Sequence, residues 1–323
     1  MSQIKVGFVG YGNSAKTYHL PYLLPVKELE VYAFLQRSAA PSAEDAKPGS
    51  HCTVDFPKAR HYRSANDFFA DPAIEVVIVT THTDTHAKFA RLALEAGKHV
   101  VVEKPFTSTS EEADALIALA TDKKLLLSPY QNRRWDGEFR TLQHLNQKDA
   151  LGTITEAEIY YDIDNPPWIH LLSAKDYTPG AGMLFGLGSH TLDQALVLSG
   201  RPKSVTAFLK VLRGIDNDIQ ERQTLSGMTY EDPKFGVNPE DEYGILTTYG
   251  QFDNSQIYDE ASRKYAGRYP TLNGYNQGYY EMVANSVRRG KPLEVDAKTS
   301  RDGIRLMELA RESHNKGATI QWS

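Results

Sequence analysis

The chain has 323 residues, a formal charge of −5, and a composition that is 41% hydrophobic and 24% charged, which fits a soluble folded protein of two domains and excludes a disordered one. The negative balance gives no general attraction to nucleic acid or to an anionic membrane, and no run approaches the roughly twenty apolar residues of a spanning helix. Cys52 is the single cysteine, so an intrachain disulfide and a thiolate cluster are both excluded; "MSQIKVGFVG" lacks a signal-peptide pattern, and the expected compartment is the cytoplasm.

In chain order, "IKVGFV" at residues 4–9 reads as a short buried strand that runs into the glycine-bearing "GYGNSAKTYHLPYLL". A second strand, "LEVYAFLQRS", ends in arginine and serine, and a third, "IEVVIVTTHTDTH", ends in polar residues. "AKFARLALEAG" has helical spacing and a glycine stop, and "KHVVVEKPF", "SEEADALIALATDK" and "KLLLSPY" continue as strand, helix and strand. Alternation at this interval predicts a parallel sheet with helices on both faces and ligands at the carboxyl ends of the strands. From about residue 130 the pattern changes. "RRWDGEFRTLQHLNQK" predicts a linking helix, while "GTITEAEIYYDI", "KSVTAFLKVLR", "EYGILTTYGQF" and "NSQIYDEA" have strand character and suggest an antiparallel or mixed second sheet. "MELARESHNKG" returns to a helix that can pack back on either domain, and 214–242 is the least readable segment. The expected class is α/β: a parallel sheet in residues 1–129, then an α+β domain on an open, mainly antiparallel sheet in residues 130–323.

"GYGNSA" is the first chemical signal. Gly10 permits a tight turn, Gly12 lets the backbone approach a pyrophosphate, and small Ala15 lets the next helix sit close to the sheet, with Asn13 and Ser14 at the helix start, where unpaired N–H groups favour phosphate. Two glycines alone are equally an ordinary turn; their position after a strand and before a helix makes this a Rossmann-type dinucleotide site. At the end of the second strand an acid would bind an adenosine ribose hydroxyl, but Gln36, Arg37 and Ser38 stand there instead. Arg37 and Ser38 suit a 2′-phosphate, so NADP is expected before NAD; a solvated surface arginine is the competing reading.

The ordered set of "GYGNSAKTYHLPYL", "EKP" at 103–105, "QNRRWD" at 131–136 and "GLGSHTLDQ" resembles the Gfo/Idh/MocA oxidoreductase family (glucose-fructose oxidoreductase, inositol dehydrogenase, rhizopine catabolism), nearest to its NADP-dependent scyllo-inositol dehydrogenase-like members. The resemblance implies an NAD(P)-dependent oxidoreductase of a small sugar, polyol or related carbonyl compound, with a second domain that often serves oligomer contacts, so a homo-oligomer such as a dimer is expected. It places Glu103, Lys104 and Pro105 beside the nicotinamide, with Lys104 as the usual catalytic lysine, and His190 as the second catalytic residue. An ammonium at a strand end can donate to a substrate oxygen, and an imidazole can both accept and donate a proton near neutral pH. Thr80, Thr81, His82 and His86 are placed near the cofactor; turn and helix capping is the alternative for each.

Where the family commonly carries an aspartate, this chain has Gly186, in "GLGSH". Spacing places Gly186, His190 and Asp193 on one helix face. Asp193 is expected to orient the helix, His190 or substrate hydroxyls, and Asp176 or Tyr161 could replace the missing acid. Arg134 could reach substrate or make interdomain ion pairs, and "YYDIDNPPWIH", with Trp168, could form a substrate wall or merely an aromatic cluster. "THTDTH" lacks the order of a metal hydrolase, and no metal site is expected. Two functions stay open: an NADP-dependent enzyme, favoured by Lys104 and His190, and a catalytically weak NADP-binding sensor, favoured by Gly186.

Overall fold

The computed structural model describes residues 2–154, 156–161, 180, 182–209 and 271–322. Six parallel strands, β1 (Ile4–Val9), β2 (Leu29–Leu35), β3 (Arg60–Tyr62), β4 (Val76–Val79), β5 (His99–Val102) and β6 (Leu127–Pro129), form one sheet in the order β3-β2-β1-β4-β5-β6. The order reverses between β1 and β4, which opens a crevice above their carboxyl ends, where such sheets bind ligands. The two-residue periodicity of the strands sends side chains to opposite faces. Ile4, Val6, Phe8, Val76, Ile78 and Val101 join one buried cluster, while Val9, Val77, Val79, Val100 and Val102 join the other. Burial on both faces is why these strands read as near-continuous apolar runs.

The helices His86–Glu95 and Ser110–Asp122 lie where their spacing predicts. The latter is capped by Thr109, whose side chain accepts from the Glu112 N–H. The segment after β1 is less regular. Ala15–His19 is a widened π-type turn followed by the short helix Leu20–Leu23. Pro21, lacking an N–H, cannot continue an α-ladder from the preceding turn, and the backbone widens just before it.

The C-terminal part returns to the first sheet on both faces. Helix Gln277–Arg289 places Tyr279 against β6, its hydroxyl within 2.9 Å of Ser128 Oγ. Helix Ala297–Lys316 packs on helix Ser110–Asp122, where Glu308 accepts from both the N–H and the hydroxyl of Ser110 at 2.7 Å, and it also packs on the helix that bears His190. The charged Glu308 therefore meets the positive end of a helix dipole.

The second sheet is separate and antiparallel. Its described strands are β7 (Ser204–Val205) and β8 (Ile320–Gln321). Two expectations need correction: residues 156–161 form no strand, and the run from residue 203 contributes only Ser204–Val205 among the described residues. A strand needs a paired neighbour as well as a pattern, and among the described residues none lies beside 156–161. The runs at 242–252 and 254–261 and the segment 214–242 lie outside the described residues. No described helix is long and apolar enough to cross a membrane.

Candidate active site

The glycine turn after β1 has the geometry its sequence predicts. Gly10 has φ +103°, a left-handed conformation that suits glycine, and a Cβ there would lie 3.1 Å from Thr80 Oγ1. Above Gly12 nothing lies within 4 Å of an added Cβ, which leaves a backbone cradle of the kind a pyrophosphate needs. Thr80, at the end of β4, holds the turn from beneath by donating to the carbonyls of Val9 and Gly10. Ala15 is fully buried against the sheet. Asn13 accepts from the Thr17 hydroxyl at 3.1 Å.

Arg37 and Ser38 are exposed just beyond β2. Arg63, just beyond β3, donates to the Arg37 carbonyl at 3.0 Å, so a second arginine side chain stands at the end of β2. Sequence reading missed Arg63, because the three-residue strand before it carries no periodicity.

Beneath the cradle lies a buried polar layer. Ser14 donates its hydroxyl to Glu103 at 2.8 Å, and His19 Nε2 stands 3.5 Å from the same carboxylate oxygen. His19 also pairs through Nδ1 with the Tyr280 hydroxyl at 2.5 Å and stacks on Tyr130. Burial alone would push Glu103 up, but His19, Lys104 and Ser14 together hold it below the ordinary carboxylate range. His86 is equally internal, with ring nitrogens 2.8 Å from the Pro105 carbonyl and 3.0 Å from that of Thr81. Ser14 thus ties the glycine turn to Glu103, and His86 lies between Pro105 and Thr81. The Thr81 hydroxyl accepts from Thr85, and His82 precedes the short turn Thr83–Thr85. His19 was missed as a participant; a histidine followed by "LP" just after the glycine turn was the available signal.

Lys104 follows Glu103 and precedes Pro105 through a cis peptide. Its Nζ donates to the Gly186 carbonyl at 3.0 Å, which brings it to the segment that carries His190. That segment is two helical pieces, Met183–Gly186 and Gly188–Ser199, parted at Leu187. Gly186 and His190 therefore do not share one continuous helix, a correction to the spacing argument; Gly186 closes the first piece, and its carbonyl is free to accept the lysine. His190 is buried, and its Nδ1 has no hydrogen-bond partner among the described residues. Burial, then the charges of Lys104 and Arg133, hold its pKa well below the ordinary imidazole value, so it is neutral at pH 7.

Asp193 is paired with Arg134. It takes a bidentate pair of bonds from Arg134, at 2.7 and 2.6 Å, and Arg134 also donates to the Glu294 carbonyl. The pair ties the His190 helix to the turn Asn132–Trp135. Arg133 pairs with Asp136 at 3.1 Å and lies over the Tyr161 ring at 5.0 Å. Burial pushes Tyr161 up to about 12, partly offset by Arg133. Asp176 and Trp168 lie outside the described residues.

Comparison with known proteins decides what these parts belong to. Residues 4–131 match the description "Oxidoreductase family, NAD-binding Rossmann fold" and residues 139–249 match the Gfo/Idh/MocA C-terminal domain. The Bacillus subtilis protein named scyllo-inositol 2-dehydrogenase (NADP(+)) IolW is 32% identical, over 98% of this chain and 95% of its own. The chain belongs to the Gfo/Idh/MocA oxidoreductase family. Another member, the Escherichia coli oxidoreductase YdgJ, is 38% identical over 98% of both chains. The solved structure of the Bacillus subtilis oxidoreductase yvaA superposes with a TM-score of 0.77 at 30% identity, covering 100% of each chain. This member is accordingly a nicotinamide-dinucleotide-dependent oxidoreductase of CH–OH groups, and the cradle at Gly10 and Gly12 fits that cofactor.

Proposed function

We propose that the protein interconverts a hydroxyl and a carbonyl on a small polyol or sugar, with NADP as its cofactor and with Lys104 and His190 acting together on the substrate oxygen. The observation that carries this reading is their convergence. The Lys104 ammonium is bonded to the Gly186 carbonyl, and His190, a few residues on, is buried, without a partner at Nδ1 among the described residues and within reach of the Lys104 charge. A neutral imidazole can take the hydroxyl proton during oxidation and return it during reduction, while the ammonium stabilises negative charge developing on the same oxygen. The nicotinamide, when bound, supplies the hydride acceptor or donor. Arg37, Ser38 and the neighbouring Arg63 support NADP, since a guanidinium fork suits a 2′-phosphate, and the NADP(+) in the name of the Bacillus subtilis relative points the same way. The same relative supports the scyllo-inositol-like end of the family as the first place to look for substrate. We assign the cofactor to residues 1–129, and the substrate and self-association into a dimer or larger homo-oligomer to residues 130–323.

The test is a turnover screen with NADP and NADPH against polyols, aldoses and dicarbonyls, repeated on Lys104→Ala and His190→Ala. Each variant is expected to lose turnover while keeping most of its cofactor affinity. Undiminished turnover in both would reject the assigned chemistry. Cofactor binding with no turnover by the unmodified chain across the screen would favour the sensor reading that Gly186 raises.

A further inference from the structure

At the β3 edge of the sheet, away from Lys104 and His190, the fold assembles a group of side chains that the reaction does not use. His51 and Cys52 open the short helix Cys52–Asp55, and His61 sits in the middle of β3. One nitrogen of each ring and the Cys52 sulfur all lie within 4.8 Å of one another. The two rings meet edge to face, 4.8 Å between centroids. Cys52 and His51 are buried and His61 is half-buried.

The hydrogen bonds prepare both imidazoles in one tautomer. His61 Nε2 stands 2.9 Å from the Gln36 carbonyl and His51 Nε2 stands 3.4 Å from the Ser38 carbonyl. A carbonyl only accepts, so each ring carries its proton on Nε2 and keeps a lone pair on Nδ1. For His51 the Thr53 N–H agrees, since it donates to Nδ1 at 3.2 Å. His51 thus gives its Nε2 proton to a backbone carbonyl and turns Nδ1 toward a soft sulfur, the arrangement of metal-binding histidines. His51 Nδ1 is already 4.0 Å from Cys52 Sγ. In a zinc site the bond lengths place nitrogen and sulfur ligands about 3.5 Å apart, so side-chain rotations of roughly an ångström close the group.

We propose that His51, Cys52 and His61 form a binding site for a zinc-class divalent cation. The ligand set is two imidazoles and one thiolate, with a fourth position left to water. On binding, the Cys52 S–H bond breaks, its proton leaves to solvent and the sulfur forms the bond to the metal. The ion also displaces the Thr53 N–H and the Thr53 hydroxyl, 2.9 Å away, from His51 Nδ1. Because the other edges of both rings hold the carbonyls of Gln36 and Ser38, the ion braces the end of β2 on either side of Arg37.

The test uses the full chain, freed of any histidine tag and treated with a chelator, titrated with Zn²⁺ and separately with Co²⁺. One equivalent of Zn²⁺ is expected to bind and to raise the unfolding midpoint, and Co²⁺ is expected to give a sulfur-to-cobalt charge-transfer absorption. Cys52→Ala should abolish that absorption, and Cys52→Ala and His61→Gln should each weaken Zn²⁺ by at least about tenfold. Thermal unfolding without metal checks that both variants fold, and the half-buried His61 supplies the milder substitution. Zn²⁺ binding of equal strength in the unmodified chain and both folded variants, or no cobalt–sulfur absorption, would overturn the site.

Discussion

The buried neutral state of His190 makes a prediction that needs no substrate. In the unfolded chain an imidazole titrates near pH 6.5, whereas in the folded protein burial, Lys104 and Arg133 keep His190 from taking up a proton until well below that. As pH falls through 6.5 the unfolded state therefore binds the proton first, and folding stability drops with it. Between pH 7.5 and pH 5.5 a histidine held neutral in the fold loses about 1.4 kcal/mol of stability. His86 and His99 are depressed by burial in the same direction and add to the loss, whereas Asp136, pushed up to about 6 by burial, works against it. His190→Gln isolates one share, since glutamine keeps a polar side chain of similar reach and cannot titrate. Urea unfolding of both proteins at the two pH values gives the difference directly. The variant should lose about 1.4 kcal/mol less than the unmodified chain on acidification, whatever its absolute stability. An equal loss in both would mean that the imidazole protonates in the folded state as it does in water, and the neutral base assigned to position 190 would be wrong.

Three further outcomes follow from named contacts. Arg134→Leu leaves the buried Asp193 carboxylate without its bidentate partner and should cost about 3–5 kcal/mol in chemical denaturation, while Arg134→Leu with Asp193→Leu should recover most of that loss. Arg37→Ala should weaken NADP more than NAD in a binding titration, because only NADP carries the phosphate; comparable losses would remove the arginine from the cofactor site. Gly186→Asp should fold with stability within about 1 kcal/mol of the parent, since an added Cβ meets nothing within 4 Å, and a rise in turnover would show that the absent carboxylate limits the reaction.

The first half of the chain was legible because its signals are local. β1, β2, β4, β5 and β6 are apolar runs, the helices between them are periodic, and the glycine turn is read from one hexapeptide. β3 escaped because "RHY" is a short edge strand with polar side chains, and the helix Ala65–Ala70 escaped because six residues are too few to establish a period. The second half was legible mainly as a change of pattern. Its antiparallel pairing, Ser204 with Gln321, joins residues far apart in sequence, and neither strand of two residues carries a period. At the site, Lys104 and His190 were reached through family resemblance, because a lone lysine and a lone histidine look like surface or structural residues by themselves. The partners that decide their surroundings were not visible. Nothing local joins Ser14 or His19 to Glu103, or Arg134 to Asp193, and Leu187 breaks a helix where spacing alone predicts continuity.

Those long-range partners explain how one lysine can be fixed at the junction of the chain's two parts. The residue before Lys104 is tied through its carboxylate to Ser14 and His19, which belong to the cofactor turn and the widened helix after it. The residue after it has its carbonyl 2.8 Å from one ring nitrogen of His86, whose other nitrogen lies 3.0 Å from the Thr81 carbonyl beyond β4, and the neutral ring gives its single N–H to one of the two. The lysine backbone is thus held on one side by the glycine turn and on the other by the β4 crossover, while its ammonium extends to the carbonyl of Gly186. A shift of the glycine turn must be passed on to the lysine, because the buried Glu103 carboxylate cannot exchange Ser14 and His19 for water. Glu103 also places a negative charge next to Lys104 from within the protein.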